Sequence, residues 1–211
     1  MSSANVIFDL DGTLVDSLSG IEQSARAAIT AVLPDEPMPD LRSVIGPPIG
    51  EMFAMLWPKL AWEKMHCLVA AFRSHYFAKG CLAVTVFPGV PETLARLHAS
   101  GLRLFVLTNK PSAPTKKILE HLALASLFDD TLSPDSFEPP FRSKPEGARL
   151  LTEKLGLNPE KTTLVGDGAD DAISAEVCGF RFIAAAYGYG TAAARSAKRL
   201  EKFSEIEQLL L

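Results

Sequence analysis

The sequence predicts an α/β protein with a doubly wound parallel sheet and an all-helical segment inserted close to the amino terminus. Three observations favour this class. Short apolar runs alternate with helical patterns along the second half of the chain. The apolar runs at residues 6–8 and 164–165 lead into aspartates and glycines, as strands do when they carry polar groups to a ligand site. Between them, residues 17–83 contain helical patterns and proline-rich loops without a convincing strand.

The first apolar run, Val6-Ile7-Phe8, suits an interior parallel strand that is buried on both faces, and Gly12 supplies a turn after it. Asp9 and Asp11 follow the strand two residues apart. Like charges about 4 Å apart repel by about 4 kcal/mol at an effective dielectric near 20, so this arrangement needs compensation. A shared proton or a divalent cation such as Mg²⁺ would provide it, and a solvated acidic turn is the alternative.

Behind the acidic turn, Ser17 is expected to cap a helix, and a second long helix is expected over residues 61–77. A rigid loop, Gly46-Pro47-Pro48-Ile49-Gly50, lies between these helical pieces, and residues 83–87 lead back to the sheet. We therefore predict a core formed by residues 1–16 and 84–211. Residues 17–83 are expected to form a helical cap that lies over the strand ends.

The remaining elements follow from alternating patterns and from the positions of proline and glycine. Helices are expected at 91–99, 113–122 and 145–155, and a further helix after Asp170 that ends at Gly179. Strands are expected at 102–107, near Thr131, at 163–165 and at 182–185, the last of them closing the sheet. The final stretch, residues 196–211, is expected to be a packing helix.

Composition limits the classes of partner. The chain has 211 residues and a formal net charge of −4, with 47% hydrophobic residues, so it can fill a core and has no basic surface for nucleic acid or an anionic membrane. No apolar run is long enough to span a membrane, and no signal-like segment precedes the first strand, which predicts a cytoplasmic protein. Three cysteines without a metal-like spacing are expected to be reduced thiols: Cys67, Cys81 and Cys178.

Two further strand or helix ends carry candidate site residues. Thr108 and Asn109 follow the strand at 102–107 and could donate to a phosphate oxygen, although a local turn would use the same residues. Lys144 precedes Pro145 at a helix start, where a cation is unfavourable beside the helix dipole unless an anion is near. A lysine exposed to solvent is the alternative, and Arg142 is a poorer candidate.

A second acidic group follows the strand at 163–165. Asp167, Asp170 and Asp171 would join Asp9 and Asp11 in a cluster that is untenable without a divalent metal, so each acidic motif supports the other. For Asp170, helix capping is the simplest role.

These motifs resemble those of the haloacid-dehalogenase-like hydrolase superfamily, most of whose members are phosphatases. Residues 9–17 are similar to its first motif, and Thr108, Lys144 and the pair Asp167 and Asp171 match the other three in order. The resemblance implies that Asp9 is the nucleophile, Asp11 the general acid/base, and Thr108 and Lys144 the groups that hold the phosphoryl oxygens. It also implies Mg²⁺, with the Asp9 side chain, the Asp11 backbone carbonyl and Asp167 as ligands and Asp171 nearby.

Three shorter stretches are similar to phosphoglycolate phosphatases: residues 86–90, 107–111 and 187–190. This resemblance implies a small phosphorylated substrate, with 2-phosphoglycolate as the first candidate, for a monomer or homodimer. Asn109 and the backbone N–H groups of Ile49 and Gly50 are expected to contact it. A Pro-Pro pair that merely joins two helices is the alternative for that loop.

Other readings stay open at this point. A β-phosphoglucomutase-like phosphotransferase shares the core, but no clear counterpart of its cap histidine follows Ser17. A phosphatase for nucleotides or sugar phosphates would use the same motifs. A haloacid dehalogenase lacks an acid/base at the position of Asp11, and a response-regulator receiver, which is a non-enzymatic switch, lacks the large insert.

Overall fold

The computed structural model describes residues 4–42, 44–190 and 198–210. Its main sheet has six strands, all parallel to their neighbours, in the order β5-β4-β1-β6-β7-β8. These strands are β1 (Asn5–Phe8), β4 (Arg103–Leu107), β5 (Asp130–Leu132), β6 (Thr162–Gly166), β7 (Arg181–Ala185) and β8 (Arg199–Leu200). The short strands β2 (Val15–Asp16) and β3 (Thr85–Val86) form a separate antiparallel pair. The predicted doubly wound parallel sheet is confirmed.

Helices connect the strands. They are α1 (Leu18–Val32), α2 (Ile49–Leu56), α3 (Trp62–Ala78), α4 (Val90–Ala99), α5 (Ser112–His121), α6 (Lys144–Leu155), α7 (Ala169–Cys178) and α8 (Ile206–Leu210). The predicted boundaries of α3 to α7 differ from these by at most a residue or two. In the described part of the chain, no helix has both the length and the apolar character that crossing a membrane requires.

Both faces of the sheet are covered, which explains why residues 6–8 of β1 are all apolar. Val6 and Phe8 point to one face and Ile7 to the other, and all three are buried. On the first face the core includes residues of α4, α5 and α8, and on the second face residues of α6 and α7. The strand ends, rather than the faces, are therefore the part of the sheet that is open to a ligand.

The segment between β2 and β3 is helical, and its described residues contain no strand. The apolar core of the first sheet face continues into this segment through Ala25, Phe53, Leu68 and Phe72. The chain enters and leaves it side by side, because Val15 is paired with Val86 and Asp16 with Thr85. The division into a core (1–16 and 84–211) and a cap (17–83) stays a prediction.

The prediction that β7 is the last strand is wrong. β8 follows it and pairs in parallel with Ala184 and Ala185, and its Leu200 is fully buried. A strand of two residues is too short to show a periodic pattern, so the sequence does not reveal it. The expected helix at the carboxyl terminus is shorter than predicted: a 3₁₀ helix (Phe203–Glu205) leads into α8. Residues 196, 197 and 211 of that prediction lie outside the described residues.

Candidate active site

The predicted site residues come together because neighbouring strands end at the same edge of the sheet. Asp9 follows β1, Thr108 follows β4 and Asp167 follows β6. Two helices that begin at this edge add Lys144, the first residue of α6, and Asp171, in the first turn of α7. The structure therefore gathers side chains from four separate sequence motifs.

Gly12 allows the first acidic turn to lie against the second acidic motif. Its φ of +79° favours glycine, and a Cβ at this position would lie 2.2 Å from Asp167 Oδ2. That oxygen accepts hydrogen bonds from the backbone N–H groups of Tyr189 and Gly190, each 2.8 Å long. Thr13 Oγ1 donates to the other oxygen of Asp167 over 3.3 Å. The carboxylate of Asp167 is thus held in place from both sides.

Lys144 lies between two carboxylates. Its Nζ is 2.5 Å from Asp9 Oδ1 and 2.6 Å from Asp171 Oδ1, and only 4% of its side chain is exposed. Burial alone would lower the pKa of Lys144, but the charges of Asp171 and Asp9 outweigh it and the pKa is raised. The ammonium therefore stays charged. The sequence predicted an anion beside Lys144, because a lysine is otherwise unfavourable at a helix start. These two aspartates are the anions.

Asp9, Asp167 and Asp171 form a buried cluster in which one oxygen of each lies within 4.8 Å of the others. Burial raises the pKa of Asp9 to about 7, against the opposing effect of Lys144. Burial and the charge of Asp9 raise the pKa of Asp167 to about 6, and burial also raises the pKa of Asp171. Three carboxylates against one ammonium leave an excess of negative charge. A hard divalent cation with oxygen ligands fits this donor set.

Asp11 lies apart from that cluster and has its own partners. Its Oδ1 is 2.6 Å from Lys110 Nζ and accepts a hydrogen bond of 2.5 Å from Ser17 Oγ. The expectation that Ser17 caps α1 is therefore wrong, since its side chain makes no capping hydrogen bond and binds Asp11 instead. The hydroxyl donates its proton to the Asp11 carboxylate, and the N–H of Leu18, the first residue of α1, donates to Asp16 Oδ1 over 3.2 Å.

Thr108 is buried and lines the same cavity as Asp9, with its Oγ1 accepting a hydrogen bond of 3.1 Å from the Lys110 backbone N–H. Asn109 donates from its side-chain nitrogen to the Gly46 carbonyl (3.2 Å) and to Asp170 Oδ2 (3.4 Å). The amide of Asn109 thus ties the loop at 46–50 to the edge of the sheet.

The capping role expected of Asp170 is filled by its neighbour. Asp171 accepts a hydrogen bond of 2.9 Å from the backbone N–H of Gly168, the residue before α7, whereas the Asp170 carboxylate turns towards Asn109. Adjacent aspartates in a first helical turn look equivalent in sequence, and only the fold decides which side chain reaches back.

A cavity of about 240 Å³ opens beside Asp9 and Asp11. Ile49 lines it, whereas Gly50 is not among its lining residues. Both residues are in the first turn of α2, where backbone N–H groups have no partner within the helix. The other walls are largely apolar, and Arg73, Lys110 and Arg142 add positive charge.

Sequence reasoning missed three contributors to the site: Lys110, Tyr76 and Tyr189. Lys110 stands in a stretch already singled out, directly after Asn109, and its position at a strand end was the available signal. Tyr189 lies in the Tyr187-Gly188-Tyr189-Gly190 stretch, which carried a resemblance but no role. Its hydroxyl accepts a hydrogen bond of 2.8 Å from the Ser17 N–H. Tyr76 has no local signal, because it belongs to a helix distant in sequence.

Comparisons with known proteins agree with this geometry. A family model described as haloacid dehalogenase-like hydrolase matches residues 6–185. The chain is 30% identical to a phosphoglycolate phosphatase of Rhodospirillum rubrum, over 97% of this chain and 88% of that protein. It is 31% identical to a 5'-nucleotidase of Pseudomonas aeruginosa, over 89% of this chain and 84% of that protein.

Among solved structures, a crystal structure described as a predicted phosphatase from Clostridium acetobutylicum superposes with a TM-score of 0.88, at 28% identity and over 99% of both chains. The match of the family model covers all the strand ends that form the site, from Asp9 to Asp171. The chain therefore belongs to the haloacid dehalogenase-like hydrolases.

Proposed function

We propose that this phosphatase hydrolyses a small phosphate monoester through a phosphoryl group carried on Asp9, with Mg²⁺ as its cofactor. One observation carries the proposal. A single buried site holds a carboxylate at a strand end (Asp9), a lysine bonded to it (Lys144) and a second carboxylate two residues on that faces the same cavity (Asp11). A nucleophile, a counter-charge and a proton donor are the groups that a two-step phosphoryl transfer requires.

In the first step, a carboxylate oxygen of Asp9 bonds to phosphorus as the bond from phosphorus to the ester oxygen breaks. Asp11 gives its proton to the departing alkoxide. In the second step, water attacks phosphorus, Asp11 takes a proton from it, and the bond to Asp9 breaks to release phosphate. In this proposal Lys144 and the Thr108 hydroxyl stabilise charge on the phosphoryl oxygens, where the transition state carries most of its negative charge.

The side chains of Asp9, Asp167 and Asp171 and the backbone carbonyl of Asp11 would hold Mg²⁺. When bound, the ion supplies positive charge that offsets the negative charge of both the carboxylates and the phosphoryl oxygens. The acidic cluster supports this assignment, because its excess negative charge is otherwise reduced only by taking up protons.

The metal proposal predicts a stability change that does not depend on turnover. We expect Mg²⁺ to raise the melting temperature of the wild-type protein, since a cation at 100 times its Kd stabilises by about 2.7 kcal/mol. Asp167→Asn should remove most of this response. Asp170→Asn is the matched control, because this neighbouring aspartate lies outside the cluster and should leave the response unchanged. An equal Mg²⁺ response in wild type and Asp167→Asn would contradict the ligand assignment.

For the substrate, we propose a small phosphorylated acid or alcohol, with 2-phosphoglycolate first. The similarity to phosphoglycolate phosphatases supports this choice. So does the lining of the cavity, where Arg73 and Arg142 offer positive charge to a second anionic group. A nucleotide is the second candidate, because a relative of nearly equal identity is a 5'-nucleotidase and the rest of the lining is largely apolar.

The experiment is a comparison of kcat/KM for 2-phosphoglycolate, hexose phosphates and nucleotides, before and after residues 46–50 are replaced by a glycine-serine linker. We expect 2-phosphoglycolate to rank first. The linker should reduce its lead, because it disrupts the first turn of α2, whose Ile49 lines the cavity, and so displaces the N–H groups of Ile49 and Gly50. A preference for nucleotides would replace the substrate assignment. Transfer of phosphate to a second sugar phosphate, in place of its release, would indicate a phosphotransferase.

A further inference from the structure

A buried lysine joins the proposed acid/base to the inserted helices. Lys110 Nζ is 2.6 Å from Asp11 Oδ1 and donates a hydrogen bond of 2.7 Å to the hydroxyl of Tyr76, and 8% of the lysine side chain is exposed. Tyr76 belongs to α3, whereas Lys110 and Asp11 follow strands of the main sheet. A buried ammonium is costly unless it is paired, so its partners determine where it lies.

The two carboxylate oxygens of Asp11 differ in their contacts. Lys110 and Ser17 both bind Oδ1, and Oδ2 receives no hydrogen bond from the part of the chain that the structure describes. Asp11 lines the cavity beside Asp9. Holding one oxygen with two donors therefore fixes the plane of the carboxyl group and leaves the other oxygen free to exchange a proton.

Tyr76 in turn has a fixed position. Its ring stacks on Phe72 with centroids 5.4 Å apart and planes inclined by 11°, and the residue is buried. The ammonium of Lys110 also lies 5.1 Å from the centroid of the Tyr76 ring, within the range of a cation–π contact. The lysine is thus held between a rigid aromatic pair and the carboxylate.

We propose that Lys110, held by Tyr76, is a positioning residue that orients Asp11 for proton transfer to the leaving group. This inference rests on the proposed function, in which Asp11 is the general acid. Through Tyr76, the helix α3 would then contribute to the chemical step in addition to lining the cavity. Lys110 has no proton-transfer role of its own in this proposal, because both of its observed partners accept from it.

The test uses the leaving group. Alkyl esters such as 2-phosphoglycolate need a proton on the departing oxygen, whereas p-nitrophenyl phosphate does not. The parameter kcat/KM reports the steps up to release of the alcohol, and therefore includes this proton transfer. We expect Lys110→Met to lower kcat/KM about 10- to 100-fold for the alkyl ester and less than about threefold for p-nitrophenyl phosphate. The loss for the alkyl ester should stay below the full contribution of general acid catalysis, about 100- to 10,000-fold, because the variant still contains Asp11. Tyr76→Phe, which keeps the ring, should show the same selectivity with a smaller loss.

Lys117→Met is the matched control. Lys117 also bridges from the core to α3, donating to the Phe77 carbonyl over 3.2 Å, but it does not touch Asp11. It should leave both substrates unaffected. In an Asp11→Asn background, Lys110→Met should cause little further loss for the alkyl ester, because residues that act as one unit are not additive.

The outcomes separate the two proposals. If Asp11→Asn shows no dependence on the leaving group, the acid role of Asp11 is wrong and the positioning role falls with it. A second outcome is that Asp11→Asn is sensitive to the leaving group while Lys110→Met lowers kcat/KM equally for both esters, or for neither. In that case Lys110 binds substrate or supports the fold, and the positioning role is overturned. Should Lys110→Met fail to fold, the selectivity of Tyr76→Phe decides by the same criterion.

Discussion

Asp9→Asn should abolish turnover and leave no phosphorylated enzyme. The amide is a poor nucleophile, and loss of the nucleophile of a covalent mechanism costs at least about four orders of magnitude in kcat. The change keeps the size of the side chain and an oxygen that can accept from Lys144, so the fold should persist. Phosphate release and the mass of acid-quenched protein, which gains one phosphoryl group when the intermediate accumulates, are the measurements.

The matched variant is Asp11→Asn. With p-nitrophenyl phosphate, whose leaving group needs no proton, this variant should still form the phosphorylated enzyme and give a burst of nitrophenolate. Hydrolysis of the intermediate should then stall, because no base activates the water. Wild-type turnover by Asp9→Asn would place the nucleophile elsewhere, and a phosphorylated Asp9→Asn protein would do the same.

Lys144→Met should cause the second large effect, on both stability and rate. Removing one partner of a buried ion pair leaves uncompensated charge and costs about 3–5 kcal/mol, and here the ammonium serves two carboxylates. Chemical denaturation of the metal-free protein measures the loss of unfolding free energy. For kcat we expect a fall of at least about a hundredfold, because a positioned charge at the phosphoryl oxygens is lost.

Lys154→Met on the same helix is the control. Lys154 makes an ion pair of similar length with Asp130, 2.7 Å, but 47% of its side chain is exposed. Solvent screens such a pair, so the change in unfolding free energy should stay within about 1 kcal/mol and activity should be unaffected. If the two variants lost the same unfolding free energy, burial of Lys144 would not be the reason for the large loss in Lys144→Met.

The central strands of the sheet could be predicted because they are buried on both faces and bounded by glycine, proline or charge. Val6, Ile7 and Phe8 show this pattern. The carboxylates that follow them stand out in the sequence, because charge next to a buried strand is unfavourable unless a ligand or an opposite charge compensates it. Asp9, Thr108 and Asp167 could be placed at one edge because parallel strands end together, and Lys144 could be singled out because a cation at a helix start needs a nearby anion.

What the sequence did not reveal depends on contacts between distant segments. The pairing of Lys110 with Asp11 joins residues that follow two different strands, and the contact with Tyr76 requires α3 to lie over them. Local rules assigned capping roles to Ser17 and Asp170. In the folded chain the Ser17 hydroxyl donates to Asp11 instead, and the Asp170 carboxylate accepts from Asn109.

The small antiparallel pair formed by β2 and β3 has a consequence for how this protein can be redesigned. Because paired strands lie about 5 Å apart, the helical segment begins and ends at adjacent points, and its length places no demand on the register of the main sheet. Helices from a relative with another substrate could be transplanted between Asp16 and Thr85. Such a chimera would retain Asp9 and the acidic cluster. Under the proposed role of Lys110, a segment without a tyrosine at the place of Tyr76 would leave that lysine with one partner fewer, and the chimera should act more slowly on esters with poor leaving groups.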